Sequence, residues 1–172
     1  MSDRYRTLLL LRHAKSAYPP GVVDHERPLA PRGVREAGLA GDWLRAHAPA
    51  VDAVLCSTAT RTRETLARTR ISASVEYLDR IYDATPGTVI DEINRVQEHF
   101  DADVQTLLVI GHEPAMSAVA LGLAAADGSN NTAAERISIK FPTSSIAVLR
   151  TGEPWHRLSF DGAALVTFHV PR

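Results

Sequence analysis

The chain has one cysteine, two lysines and no long apolar run. Each scarcity excludes something. A lone thiol, Cys56, rules out an internal disulfide and a cysteine-rich zinc cage, and it fits a reducing compartment. The apolar run near the start, Leu8 to Leu11, is cut off by Arg12-His13, well short of a secretory h-region. The longest other stretch, Ala118 to Ala126, is too short to cross a bilayer. The expectation is a cytoplasmic protein with no membrane partner. Net charge is scarce too: 19 basic against 20 acidic residues leave −1, which argues against a nucleic-acid partner. The seven histidines lack metal-ligand spacing such as His-x3-His on a helix, so neither a metal nor another cofactor is expected.

What the sequence does have is a core. Across 172 residues, 45% are hydrophobic and 23% charged, enough for one globular domain spanning 1–172 without staples. The cations are nearly all arginine, with Lys15 and Lys140 the only lysines.

Thr7 to Leu11 is a continuous apolar run of the kind a strand buried on both faces requires. A polar, proline-bearing loop follows to about Pro31. Val34, Ala37, Gly41, Leu44 and Ala48 then recur at helical spacing over 32–47, stopped by Pro49. Val54 to Cys56 reads as a strand, and Ser57-Thr58 as the N-cap of a helix carrying Arg61, Arg63 and Thr65. Val75 to Leu78 is a weaker strand. Thr85-Pro86 opens a helix with Val89, Ile93, Val96 and Phe100 on one face. Thr106 to Ile110 is a second buried strand, and Pro114 suits the first position of a helix reaching about Ala126. Asp127 to Ala133 reads as a surface loop. Ile146–Leu149, Trp155–Phe160 and Leu165–Val170 read as strands with little helix between them. The alternation predicts an α/β three-layer sandwich, its mostly parallel sheet flanked by helices on both faces.

Several phosphate-handling signatures fail. There is no P-loop, no dinucleotide glycine fingerprint and no Gly-x-Ser-x-Gly elbow. Cys56 and Arg61 are one residue too close for a cysteine-phosphatase loop, and Asp101-Ala102-Asp103 precedes a strand where an aspartate-phosphatase motif would follow one.

One constellation survives. Ligands of open α/β sheets bind beyond the carboxyl ends of the parallel strands. The first strand ends in Arg12-His13, the second in Ser57 with Arg61 a turn later, and the fourth in Gly111-His112. Arg-His alone is cheap: this composition yields roughly 0.7 by chance, so placement carries the weight. The bland alternative makes both arginines surface charges and both histidines helix caps. Parallel strands would instead gather Arg12, His13, Arg61 and His112 at one rim. Guanidinium groups bind phosphate oxygens bidentately and stay charged, and a neutral imidazole attacks phosphorus. The second histidine can stabilise charge on the equatorial oxygens. Such a rim suits phosphoryl transfer with no metal.

At these residues the sequence resembles the histidine phosphatase superfamily, the phosphoglycerate-mutase-like group. Arg12-His13-Ala14 matches its Arg-His-Gly. Ser57, Arg61 and Thr65 match its Ser-x3-Arg-x3-Thr, and Gly111-His112 its later Gly-His. The segments Arg27-Pro28-Leu29, Arg32-Gly33 and Tyr82-Asp83-Ala84 look most like SixA-type phosphohistidine phosphatases. The resemblance implies that His13 is phosphorylated, that Arg12, Arg61 and His112 hold the phosphoryl group, and that water hydrolyses the intermediate. Ser16 would assist by hydrogen bonding.

Two departures stand out. Ala14-Lys15 replaces a glycine and an acidic residue, placing Lys15 beside the pocket as a candidate substrate contact. A general acid is also hard to place. Glu113, directly after His112, is either that acid or an N-cap carboxylate. Asp24 and Glu26 are either candidates on a mobile rim loop or, the preferred reading, solvated surface. A missing acid favours a phosphoramidate, whose leaving group needs less protonation, and so a partner bearing protein phosphohistidine. Two alternatives remain: a small-molecule phosphomonoesterase using Glu113 as acid, and a non-catalytic phosphate-binding module. The oligomeric state is left open.

Overall fold

The computed structural model describes residues 5–172. Six strands form one sheet: β1 (Arg6–Arg12), β2 (Ala53–Ser57), β3 (Ser74–Leu78), β4 (Thr106–Gly111), β5 (Ile146–Thr151) and β6 (Ala164–His169). Their order is β3-β2-β4-β1-β5-β6. The neighbours β3/β2, β2/β4 and β4/β1 are parallel, whereas β5 is antiparallel to both β1 and β6. The helices are α1 (Pro31–His47), α2 (Thr60–Thr69), α3 (Pro86–Asn94), α4 (Ala115–Leu123) and α5 (Asn131–Ile139).

The layers follow from the strand period of two. Leu8 and Leu10 of β1 pack with Leu107 and Val109 of β4 against α3, α4 and α5. Leu9, Leu11, Leu108 and Ile110 face the other way, onto Ala40 and Leu44 of α1 and Leu66 of α2. Both faces are thus covered, which is why β1 and β4 read as unbroken apolar runs. No helix among the described residues is long and apolar enough to cross a membrane.

Several expected boundaries shift. The N-cap of α2 is Ala59, with no side-chain cap. Pro114 caps α4 rather than opening it, and α4 stops at Leu123. The helix expected to carry Phe100 ends at Asn94, whose amide donates to the carbonyls of Trp155 and Leu158. A 3-10 turn over Val96–Glu98 follows. Part of the expected 127–133 loop is the start of α5, capped by Asn130, whose side chain accepts the Ala133 N–H at 3.0 Å. Trp155–Phe160 is not a strand: Trp155–Arg157 is a 3-10 turn, and the buried Trp155 indole donates to the Val104 carbonyl at 2.6 Å.

The register positions the site. Arg12 at the end of β1 lies opposite Gly111 at the end of β4, and Cys56 lies opposite Ile110. The residues just beyond these pairs therefore share one edge.

Candidate active site

Strand β1 delivers Arg12 and His13, and the main chain around them is fastened from three sides. The His13 N–H donates to the Gly111 carbonyl at 3.0 Å, the Arg12 N–H to the Ser145 carbonyl at 3.1 Å, and the Ala14 N–H to Thr65 Oγ1 at 2.9 Å. Thr65 Oγ1 donates in turn to the Arg61 carbonyl, tying α2 to the same loop. The N–H of Ser144, which sits at φ +67°, donates to the carbonyls of both Arg12 and His13. The loop after His13 is closed at its base by Ala30 N–H to the Lys15 carbonyl and Ala17 N–H to the Pro28 carbonyl.

His13 and His112 face each other with ring centroids 5.2 Å apart. Nδ1 of His13 lies 2.7 Å from the Ala14 carbonyl oxygen. A carbonyl only accepts, so this nitrogen carries the proton, and in the neutral ring the lone pair belongs to Nε2. Burial pushes the His13 pKa down to about 3, assisted by the charges of His112, Arg61 and Arg12 and opposed by the Ala14 bond. The ring is therefore neutral and nucleophilic at physiological pH.

His112 is oriented from β2. Its Nε2 lies 2.8 Å from Ser57 Oγ, which also accepts the Ala59 N–H at 3.3 Å. A serine hydroxyl that accepts from Ala59 still has its own proton to donate to Nε2, and we assign that tautomer, with the imidazole proton on Nδ1. Burial, then Arg61, holds the His112 pKa down to about 4.

The two arginines are held alike. Nη1 of Arg12 donates to the Phe141 carbonyl at 2.9 Å, and Nη1 of Arg61 to the Asp24 carbonyl at 2.7 Å. In both, Nε is buried without a hydrogen-bond partner among the described residues, and so is Nδ1 of His112. Buried donors are normally satisfied. Three such donors on three residues around His13 make a natural anion site.

The other expected site residues sit differently. Ser16 is buried and its Oγ accepts from Arg27 Nη1 at 2.9 Å. Lys15 is exposed and its side chain makes no hydrogen bond or ion pair among the described residues. The Glu113 carboxylate accepts the Ser117 N–H and the Ser117 hydroxyl, both at 2.7 Å. That is the geometry of a helix-end carboxylate. The sequence does not announce the contacts of three residues here. Ser57 is expected at the strand end but not bonded to His112, Ser144 is not singled out, and Asp24 reads as solvated although it contacts Arg61, Arg27 and Tyr82.

Comparisons with known proteins show the family. The sequence profile of the histidine phosphatase superfamily, branch 1, matches residues 8–103. An uncharacterised protein of Mycobacterium tuberculosis strain H37Rv is 64% identical over 162 residues, covering 94% of this chain and all of the relative. Two solved structures are close in shape. One, from Nakamurella multipartitia, is provisionally assigned as a phosphohistidine phosphatase SixA. It is 42% identical with a TM-score of 0.87, covering 97% of this chain and 96% of its own. Another with the same provisional assignment, from Agrobacterium tumefaciens, is 30% identical with a TM-score of 0.74, covering 96% and 99%. With its paired histidines and arginines at the strand ends and this profile spanning more than half its length, the chain belongs to the histidine phosphatase superfamily, branch 1.

Proposed function

We propose that this phosphatase hydrolyses phosphohistidine on proteins through a phosphorylated His13. The observation that carries the reading is the Nδ1–H of His13 locked on the Ala14 carbonyl, beside three buried donors without partners among the described residues. The lone pair on Nε2 forms a new N–P bond as the substrate's own P–N bond breaks, its electron pair leaving on the substrate imidazole. When that ring is protonated on its other nitrogen it departs as neutral imidazole, so the enzyme needs no acid at this step. Water then attacks the phosphorus of phospho-His13. The pair of the breaking N–P bond returns to Nε2, the water's proton passes to solvent, and inorganic phosphate leaves. Arg12 and Arg61 neutralise the phosphoryl oxygens throughout, and His112 Nδ1–H adds a donor.

The SixA assignments of the two relatives support this substrate class. So does Glu113, whose carboxylate is committed to Ser117 rather than offered to an alkyl leaving group. The test is trapping. Labelled phosphohistidine protein is mixed with the enzyme, quenched in base and examined for acid-labile phosphate on the chain. Label is expected on the native protein and absent from His13→Ala. Label persisting in that variant overturns the mechanism, and hydrolysis of alkyl phosphates but not phosphoramidates overturns the substrate.

A further inference from the structure

Asp24 belongs to the exposed 3-10 turn Asp24–Glu26, yet it meets the site from 37 residues away in sequence. Its carbonyl takes Nη1 of Arg61 at 2.7 Å and its Oδ2 takes Nη2 at 3.1 Å. One residue thus grips the guanidinium by its two terminal nitrogens. The remaining edge, Nε with the second proton of Nη2, is the one that makes a parallel pair of bonds to a phosphate. Nε of Arg61 has no partner among the described residues.

Asp24 is itself braced. The Tyr82 hydroxyl, from the loop after β3, donates to the same Oδ2, and Arg27 Nε donates to Oδ1 at 3.1 Å. Tyr82 stands edge-on to His112 with centroids 5.4 Å apart, and edge-on to His25 at 4.7 Å. The loops after β1 and β3 therefore meet through Asp24 and Tyr82, next to the two groups that must hold phosphate. An arginine left to itself has about 2 kcal/mol of rotamer entropy to lose on fixing. Here the fixing is done before the ligand arrives.

We propose that Asp24 is a positioning residue for Arg61, with Tyr82 as its brace, and that the pair keeps the Nε–Nη2 edge of Arg61 presented to the phosphoryl group. The opposite role has the same contacts but the other sign: a carboxylate that competes with phosphate for Arg61. The proposal concerns the phosphate site alone, so it can be tested without knowing the physiological substrate.

The experiment measures inorganic phosphate affinity by calorimetry for the native protein, Asp24→Ala, Asp24→Asn and Tyr82→Phe, each also combined with Arg61→Lys. Asp24→Ala is expected to weaken phosphate binding about tenfold, a loss of one good charge-assisted bond. Asp24→Asn, which keeps an acceptor oxygen, recovers part of it, and Tyr82→Phe falls in the same direction by less. In the Arg61→Lys background the Asp24→Ala step shrinks toward none, because the effect passes through the guanidinium. Tighter phosphate binding in Asp24→Ala overturns the proposal in favour of competition. An unchanged affinity, or an effect that persists in full with Arg61→Lys, overturns it as well. If the trapping experiment on His13 fails while these affinities shift as expected, the catalytic reading falls and this one stands.

Discussion

The hydroxyl of Ser57 lies 2.8 Å from Nε2 of His112, joining residues 55 apart in sequence across the ends of β2 and β4. That contact decides which nitrogen of His112 carries the proton, and so whether the ring offers phosphate a donor or a lone pair.

Ser57→Ala removes the partner and leaves a buried Nε2 unsatisfied. The expected cost is about 10–100-fold in kcat/KM, the equivalent of about 1.4–3 kcal/mol for one lost buried hydrogen bond. Ser57→Thr, which keeps the hydroxyl, should recover most of it. Nitrogen NMR of the His112 ring checks the cause: the proton should sit on Nδ1 in the native protein and become mixed in Ser57→Ala. A native rate in Ser57→Ala would remove the hydroxyl from the account.

The depressed histidine pKa values make stability fall in mild acid. In the unfolded chain both rings take up a proton near pH 6.5. In the folded protein His13 holds off to about 3 and His112 to about 4, chiefly because burial penalises the charge. Below pH 6.5 the unfolded chain thus binds more protons, and stability drops as pH falls through the window from about 6.5 toward 3. Above it the term is fully present. Urea midpoints measured from pH 7 to 4 should decline less steeply in a His13→Asn, His112→Asn double variant than in the native protein. Parallel curves would show that the two rings titrate freely.

Glu113→Gln separates a cap from a proton donor. The carboxylate accepts both the N–H and the hydroxyl of Ser117 near the start of α4. Its loss should lower stability by about 1 kcal/mol, the usual worth of a helix-terminal side-chain bond. Turnover of a phosphoramidate should stay within about twofold, because a single interaction made only in the ground-state fold does not enter the rate. Collapse of alkyl phosphate hydrolysis in this variant would make Glu113 the acid after all.

How much of this was legible in the sequence depends on how local each cause is. The runs Thr7–Leu11 and Thr106–Ile110 are apolar throughout because β1 and β4 are covered on both faces, and that signal needs no neighbour. Arg12, His13, Arg61 and His112 could be gathered because parallel strands end on the same side. The tail resisted. Asn130 caps α5 from within a polar cluster that reads equally well as loop, and the turn at Trp155 buries an indole whose partner, the Val104 carbonyl, is distant in sequence. The role of Asp24 was hidden for the same reason. Arg27 is three residues away, but nothing nearby announces Arg61 and Tyr82 as partners, and a short exposed Asp-His-Glu turn is ordinary surface until the fold returns it to α2.

Gly33 links the helix layer to the site loop, and replacing it should damage both fold and function. A Cβ there would stand 2.1 Å from the main-chain oxygen of Lys15, and main chain cannot swing aside as a flexible side chain can. The Lys15 carbonyl is also the acceptor that closes the loop base through Ala30. Gly33→Ala must therefore push α1 off the loop that follows His13, at a cost of about 3 kcal/mol. Gly41→Ala is the control. Its Cβ would meet the Thr69 oxygen at 2.1 Å, an equally tight approach, but between α1 and the far end of α2. Both variants should lose thermal stability. Only Gly33→Ala should also weaken phosphate binding under conditions where the remaining protein is fully folded, because only it displaces the backbone that carries Ala14 and accepts the His13 proton. Equal phosphate affinity in the two variants would mean that the His13 loop keeps its shape without α1, and that the strand ends alone set the site.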